Sequence, residues 1–281
     1  MTASLIAKFR KQTQQGMMDC KKFIEAAKSE LSESASEAEI FDLALDLLTK
    51  ASSGKIKKRA AREANEGVII CAGDDNYAYA LEVNCETDFV ARNDVFKAFV
   101  ADLSNLISEQ QPLGLTELLE LPLNGSNVAE VCKDLIIKIG ENIRIGKFFG
   151  FKAGASKFVA YNHGGRLAVV VEYEGDAAAG KDIALHIAAN SPAAIDESGV
   201  CAKMIATEKA MYEEQAKESG KPDDVQAKMV QGKMSKFLAE VTLLGQKFVK
   251  DEDVTVAEFL KKNTTKILSF KRVALGEVEE V

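Results

Sequence analysis

Tryptophan is absent from the 281-residue sequence, and histidine and proline are rare, with two and four residues. The sequence also lacks a GxxxxGKS/T phosphate loop, a GxGxxG at a strand–helix turn and a GxSxG nucleophile motif. Its histidines, His163 and His186, are too far apart for an HExxH pair of metal ligands. We therefore expect a non-enzymatic protein that has no cofactor or metal and no direct nucleotide binding.

Paired cysteines and long apolar runs are missing as well. The five cysteines are scattered without a CxxC spacing, which is typical of reduced thiols in a cytosolic protein. No apolar run approaches the ~18 residues of a membrane span, and the first residues lack the apolar core of a signal peptide. The sequence thus predicts a cytoplasmic protein with no membrane partner.

The net charge of −7 and the pI of about 5.2 argue against a general attraction to nucleic acid. One segment, Lys55 to Arg62, is strongly basic and could contact RNA. It has no interleaved aromatic residue on which a base could stack. A solvated linker or helix face is the favoured interpretation of this segment, and no nucleic-acid partner is expected.

The first 53 residues have the pattern of three helices. Ser36 and Glu39 are spaced as a capping box at the start of the third helix. The apolar residues that follow recur with the period of one buried helix face: Ile40, Leu43, Ala44, Leu47 and Leu48. We expect Ser52-Ser53-Gly54 to end this bundle, which is small enough to be a satellite domain.

A strand–turn–strand–helix pattern follows. Val68 to Cys71 is apolar, Gly73 to Asn76 has turn chemistry, and residues 77–84 alternate like a half-buried strand. Asn93 or Asp94 can cap the next helix, which would bury Phe96, Phe99, Val100, Leu103 and Leu106. The same plan recurs at 158–171 and in a helix with Ile183, Ile187 and Ala188. We therefore expect two related α+β halves.

Residues 198–238 have a different pattern. Ser219-Gly220-Lys221-Pro222 separates two helical stretches. Both stretches have 4-3-4 spacing, at Val200, Met204, Thr207 and Met211 and at Val225, Met229, Gly232 and Lys236. This predicts an antiparallel helical hairpin, which could project and mediate a weak homodimer or could pack on the protein's own core. A helix at 254–260 and a strand at 267–273 follow.

Several short segments occur in order along the chain: Met17-Met18-Asp19-Cys20-Lys21-Lys22, Leu81-Glu82-Val83-Asn84-Cys85-Glu86-Thr87-Asp88-Phe89-Val90, Lys138-Ile139-Gly140-Glu141-Asn142-Ile143, His163-Gly164-Gly165-Arg166 and Leu185-His186-Ile187-Ala188-Ala189. Together they resemble the elongation factor Ts family. The resemblance implies an α+β fold with a ubiquitin-associated-like three-helix domain, a two-part core with antiparallel sheets and an inserted hairpin. The expected domains are 1–53, 54–143, 144–197 with 239–281, and 198–238 for the hairpin.

The resemblance also implies a function. Members of the family bind elongation factor Tu, a GTPase, and promote release of its GDP so that GTP can rebind. The segment Thr87, Asp88, Phe89, Val90 would enter the GTPase domain and dislodge the magnesium ion beside the nucleotide. The remaining partner contacts implied by the resemblance are Arg10, Met17, Met18, Ile139, Gly140, Glu141, Asn142, His163 and Gly164.

Three positions depart from the family pattern. Gln14 replaces a glycine of the turn before Met17, Lys247 stands where a proline usually precedes the phenylalanine, and the sequence stops at Val281, where longer members continue with another helix.

Two of the implied contact residues also have purely structural interpretations. Phe89 could be a core residue at the start of a helix, and His163 could be a solvated turn residue. His186 is expected to be a hydrogen-bonded interior histidine.

Overall fold

The structure is a computed structural model that describes residues 2–13, 16–32 and 35–277, with the backbone alone for residues 2, 3, 49 and 52–58. Its helices are α1 (Thr2–Thr13), α2 (Met17–Glu30), α3 (Glu37–Ala60), α4 (Asp88–Ala91), α5 (Asp94–Gln110), α6 (Leu115–Glu120), α7 (Val128–Ile139), α8 (Ala177–Asn190), α9 (Ala202–Glu218), α10 (Asp223–Val241) and α11 (Val256–Lys262). Its strands are β1 (Glu66–Gly73), β2 (Tyr77–Cys85), β3 (Pro122–Leu123), β4 (Ser126–Asn127), β5 (Ile143–Lys152), β6 (Lys157–His163), β7 (Leu167–Glu174), β8 (Lys247–Phe248), β9 (Asp251–Thr255) and β10 (Lys266–Ala274). The predicted α+β class and the three N-terminal helices are confirmed.

The N-terminal helices α1, α2 and α3 share an apolar core. The rings of Phe9 and Phe41 meet edge to face in it, with centroids 5.3 Å apart. The predicted capping box is present: Glu39 N–H donates to Ser36 Oγ, and Ser36 N–H donates to the Glu39 carboxylate at 2.8 Å. This reciprocal pair fixes the start of α3.

The predicted end of the bundle at Ser52-Ser53-Gly54 is wrong for its last helix. Helix α3 continues through these residues to Ala60, for a length of 24 residues. One glycine inside a helix costs only about 1 kcal/mol. Near the end of α3, Arg59 Nη1 donates to the Ile136 carbonyl at 2.9 Å, so the extension of the helix has a partner of its own in α7.

The first sheet has the strand order β1-β2-β5. All nine residues of β2 are buried, so the predicted half-buried strand is wrong. Ala78 and Ala80 pack in an apolar cluster, and Asn84 Nδ2 donates to Glu82 Oε1 at 2.7 Å. Alternation of side-chain types shows that two faces differ, but it does not show that one of them meets water.

The chain forms two compact units. Unit 1 contains the described residues up to 68 and residues 82–147, and unit 2 contains residues 69–81 and 148–277. The Asn93 side chain caps α5, and all five predicted apolar residues of that helix are buried. The domain boundaries expected from the sequence stay a prediction.

Unit 2 contains an antiparallel sheet in the order β10-β7-β6, with α8 packed against it. Its core joins Val171, Ile183 and Ile187 to Phe248, whose ring stacks on Phe259 at 4.1 Å. The predicted helix start at residue 254 is wrong. Residue 254 belongs to β9, and α11 begins after a capping box between Thr255 and Glu258.

The predicted helical hairpin is confirmed by α9 and α10, which pack on each other. Ala216 is the only buried residue among the described residues of the two helices. The predicted seam is confirmed in the first half of each stretch, where the residues are buried or half-buried: Val200, Met204, Val225 and Met229. It is wrong in the second half, where the residues are exposed: Thr207, Met211, Gly232 and Lys236. Tyr212, next to Met211, is half-buried, with Lys233 Nζ over its ring. The hairpin therefore adds almost nothing to the core of unit 2.

Candidate functional site

Strand β2 leads from the buried sheet into an exposed turn. Thr87 precedes the one-turn helix α4 with extended backbone, and its hydroxyl accepts a long hydrogen bond from Val90 N–H at 3.4 Å. Val90 is 8% exposed, whereas Phe89 beside it is 82% exposed. The turn is thus anchored through Val90 and presents the Phe89 ring to solvent. The exposure of Phe89 that the family resemblance implies is confirmed, and the interpretation of Phe89 as a core residue is wrong.

The carboxylate of Glu141 holds Thr87 at two points. Thr87 N–H donates to Oε2 at 3.1 Å, and the Thr87 hydroxyl donates to Oε1 at 2.9 Å. Glu141 reaches this position because Gly140 ends α7 in the left-handed region, with φ of 92°. A residue with a side chain is strained at that backbone angle, which explains a glycine here.

A second carboxylate, that of Glu86, joins the same two segments in the opposite direction. Glu86 Oε1 accepts Asn142 N–H at 2.6 Å and lies 3.4 Å from Arg62 Nη1. Asn142 Nδ2 in turn donates to the Arg62 carbonyl at 2.7 Å. Glu86 therefore accepts the N–H of the residue that follows Glu141. In the same way, Glu141 accepts the N–H of the residue that follows Glu86. We call these four residues, Glu86, Thr87, Glu141 and Asn142, the crossed clamp.

Two further contacts shape the turn. Burial raises the pKa of the Cys85 thiol to about 11, with a smaller contribution from Glu141, so the thiol stays protonated at neutral pH. It donates from Sγ to the Thr87 carbonyl at 3.1 Å. Asp88 at the start of α4 pairs with Arg92 at 3.2 Å on the exposed side. An acidic residue is favourable at a helix N-terminus.

The three-helix bundle carries a second exposed apolar feature. Met17 and Met18, at the start of α2, are 59% and 77% exposed. They line an open groove of about 690 Å³ together with Ile6, Ala7, Arg10, Lys11 and Lys21. The charged residues along this groove are all basic. We call it the methionine groove; it suits an apolar surface that also bears acidic residues.

The β6–β7 turn is the third predicted contact region. Gly164 and Gly165 adopt φ of 61° and 72°, and Arg166 N–H closes the turn on the His163 carbonyl at 3.2 Å. His163 is exposed and shares a 2.8 Å hydrogen bond between its Nδ1 and the Tyr161 hydroxyl. Consecutive left-handed residues are the reason for the glycine pair.

His186 is a fully buried residue of α8, as predicted. Its Nδ1 accepts Val249 N–H at 3.1 Å, so its Nε2 carries the proton and donates to Gln246 Oε1 at 2.9 Å. Desolvation lowers the pKa of the imidazole below its usual value. The neighbouring Lys247, which departs from the family pattern, lies in β8 beside the buried Phe248.

The predicted site residues fall into three groups. Thr87, Asp88, Phe89 and Val90 lie with Ile139, Gly140, Glu141 and Asn142 in unit 1, and the clamp joins these two segments. Arg10, Met17 and Met18 line the methionine groove, and His163 and Gly164 belong to unit 2. Asn142 is 4% exposed, which favours an internal role for it. Gln14 lies outside the described residues.

Sequence reasoning missed Arg59, Arg62 and Glu86. The two arginines belong to the basic segment, yet both bind protein groups of unit 1, so a solvated face describes only part of that segment. The side chains of Lys55 to Lys58 lie outside the described ones. Glu86 adjoins the Thr87–Val90 motif, but nothing in its spacing indicates a partner 56 residues away.

No metal centre or membrane span accompanies these features in the part of the chain that the structure describes. There, no three or more His, Cys, Asp or Glu residues are grouped to hold a metal ion. Nor does any described helix combine the length and hydrophobicity needed to cross a bilayer.

The family model described as Elongation factor TS matches residues 86–277. The chain is 40% identical over 283 residues to elongation factor Ts of Alkalilimnicola ehrlichii, covering 100% of this chain and 94% of that protein. It is 42% identical over 277 residues to the protein of the same name from Polynucleobacter asymbioticus, covering 99% and 90%. The chain therefore belongs to the elongation factor Ts family.

Proposed function

We propose that this protein is a nucleotide exchange factor of translation elongation that binds elongation factor Tu with GDP and promotes GDP release. Family membership supports the role, and the observation that carries its mechanism is the exposure of Phe89 on a turn fixed at both ends. The turn would enter the GTPase domain of the partner and displace the elements that hold its magnesium ion. GTP would then rebind to the emptied site.

Such a function needs no reactive group on this chain. A GTPase holds GDP through backbone N–H groups around the phosphates and through a magnesium ion. An exchange factor must bind the nucleotide-free partner more tightly than the GDP-bound partner, and that difference is the coupling free energy. Burying the Phe89 ring in a site that the partner must open would contribute ~1.5–3 kcal/mol.

The methionine groove would contribute to the affinity for elongation factor Tu rather than to displacement of the magnesium ion. Met17 and Met18 are flexible side chains that adapt to an apolar partner surface, and Arg10, Lys11 and Lys21 around them favour acidic neighbours on that surface. The β6–β7 turn with His163 and Gly164 would add a contact from unit 2. These contacts would hold the complex whether or not Phe89 displaces magnesium.

Two other functions remain as outcomes of the test. An RNA-binding protein would use the basic segment, but Arg59 and Arg62 already have protein partners. A ubiquitin-associated-like adaptor would use the three-helix bundle and leave GDP release unchanged. A weak homodimer through α9 and α10 is a separate proposal, which sedimentation at increasing concentration would test.

The deciding experiment measures release of fluorescent GDP from purified elongation factor Tu with and without this protein. We expect acceleration that saturates with factor concentration. Coupling is reciprocal, so GDP should weaken the complex of the two proteins by the same factor by which the protein weakens GDP binding. Equal affinity for empty and GDP-bound elongation factor Tu would rule out exchange, and RNA affinity with a steep salt dependence would favour the RNA-binding alternative.

A further inference from the structure

The turn that presents Phe89 cannot hold its own shape. Helix α4 has four residues, and a single helical turn in isolation does not form because its nucleation is unfavourable. Its exposed ion pair between Asp88 and Arg92 adds little to rigidity. The orientation of the Phe89 ring must therefore come from contacts outside α4.

The crossed clamp supplies such contacts at Thr87, in addition to the burial of Val90 and the bond from Cys85 Sγ to the Thr87 carbonyl. Glu141 accepts two hydrogen bonds from Thr87, the residue that caps α4, and one of the two donors is the hydroxyl that itself accepts Val90 N–H. Hydrogen bonds to a carboxylate are stronger than those between neutral groups. Glu86 reinforces the junction from the opposite side by accepting Asn142 N–H at 2.6 Å.

The same geometry limits other roles for Glu141. Both of its carboxylate oxygens already have donors in the chain, and the side chain is half-buried. A partner could use Glu141 as a main contact only by competing with these bonds. Asn142 beside it is buried and binds the Arg62 carbonyl.

We propose that Glu141 is a positioning residue that acts through Thr87 to hold Phe89 in the orientation needed for nucleotide release. The inference rests on the proposed exchange function. It assigns Glu141 an effect on the step that follows docking. A Phe89 ring that is already oriented can enter the partner's site without a separate ordering step. If the ring is disordered, the rate of nucleotide release falls in proportion to the fraction of molecules in which the ring has the required orientation.

The test is a double-mutant cycle in stopped-flow GDP release at saturating factor. Glu141→Ala removes two hydrogen bonds to a charged group, each of which corresponds to about tenfold or more. We therefore expect it to lower the maximal release rate by about tenfold or more. In a Phe89→Ala background, Glu141→Ala should change the rate by less than about twofold, because the group that it orients is gone. Glu141→Gln should retain more activity than Glu141→Ala, because an amide oxygen can still accept Thr87 N–H.

Glu120→Ala serves as the matched control, since Glu120 is an exposed carboxylate of the same unit outside the clamp. Its rate should equal that of the unchanged protein. Fluorine NMR of 4-fluorophenylalanine at position 89, without any partner, should show a shifted or broadened signal in Glu141→Ala and no change in Glu120→Ala. If Glu141→Ala does not fold, the pair Thr87→Val and Thr87→Ser replaces it, with the hydroxyl expected to restore both rate and signal.

The outcomes separate this inference from the proposed function. If the unchanged protein does not accelerate GDP release, the exchange function fails; an unaltered fluorine signal in the Glu141 variant would independently exclude positioning. If the protein accelerates release but Glu141→Ala has the same effect with and without Phe89, Glu141 makes a direct contact and the positioning role is wrong. A Glu141→Ala protein with the maximal rate of the unchanged protein would also overturn it.

Discussion

Phe89 and Val90 are adjacent in the chain and have opposite surroundings, with the valine inside the turn and the phenylalanine in solvent. The pair therefore offers a matched comparison. Phe89→Ala should leave the free energy of unfolding nearly unchanged, because the ring is exposed. It should slow maximal GDP release by about tenfold or more, because burying a phenylalanine in the partner would contribute ~1.5–3 kcal/mol. Val90→Ala should instead cost roughly 1–3 kcal/mol of stability. Thermal unfolding and stopped-flow release at saturating factor measure the two effects. A stable Phe89→Ala protein with an unchanged maximal rate would remove the ring from the mechanism.

The methionine groove should affect association rather than the maximal rate. Replacing Met17 and Met18 together by alanine removes apolar contact area but leaves the Phe89 turn intact. Hot-spot truncations commonly cost ~2 kcal/mol, which corresponds to about thirtyfold in affinity. We expect release to recover when the factor concentration is raised. A reduced rate that persists at saturation would show that the groove takes part in displacement itself.

His186 should make the protein sensitive to mild acid. Its folded pKa lies below the ordinary value of ~6.5, so the unfolded chain takes up a proton first as the pH falls. Stability is therefore lost as the pH drops from about 7 through 6.5 toward the folded pKa. His186→Asn should be less stable at pH 7 because it loses the bond to Gln246, but its stability should change less between pH 7 and about 5.5. His163→Asn, at an exposed position, is the control. Identical pH profiles for His186→Asn and the unchanged protein would contradict this assignment.

Gly146 should not tolerate a side chain. A Cβ atom there would lie 2.3 Å from Oδ1 of Asn84. The Asn84 side chain is buried, and its Nδ2 donates a hydrogen bond to Glu82 Oε1. Gly146→Ala must therefore displace a packed side chain, and we expect a loss of about 1–3 kcal/mol, the usual cost of overpacking. Gly154→Ala is the control, because a Cβ there meets nothing within 4 Å. Equal stability of the two variants in urea unfolding would show that Asn84 moves aside at little cost.

The hairpin of α9 and α10 should be dispensable for folding. It contains one buried residue, Ala216, so its removal exposes little apolar surface. Replacing residues 204–235 by a short Gly/Ser linker should leave a cooperative thermal transition within a few degrees of that of the full chain. Val200, which is buried, is kept in this variant. Loss of cooperative unfolding would show that the hairpin is part of the core.

Features encoded within one or two helical turns were predictable from the sequence. The Ser36–Glu39 capping box and the buried face of α5 follow from spacing alone. The hairpin and the first half of its seam were predictable, but the second half was not, because Met211 and Tyr212 both fit an apolar row at helical spacing. The composition of β2 did not reveal that both faces are covered. The bond between Thr87 and Glu141 spans 54 residues, and no local pattern encodes it. The site residues themselves came from family resemblance.

Burial of β2 on both faces has a consequence for how force would pass through the molecule. A strand enclosed on all sides exchanges its amide protons only when large parts of the structure open, so it is among the least compliant elements of a protein. The Phe89 turn begins two residues after this strand ends. In the proposed function, the Phe89 ring would press on the partner from a support that does not deform. The deformation would then fall on the partner, at the elements that hold its nucleotide.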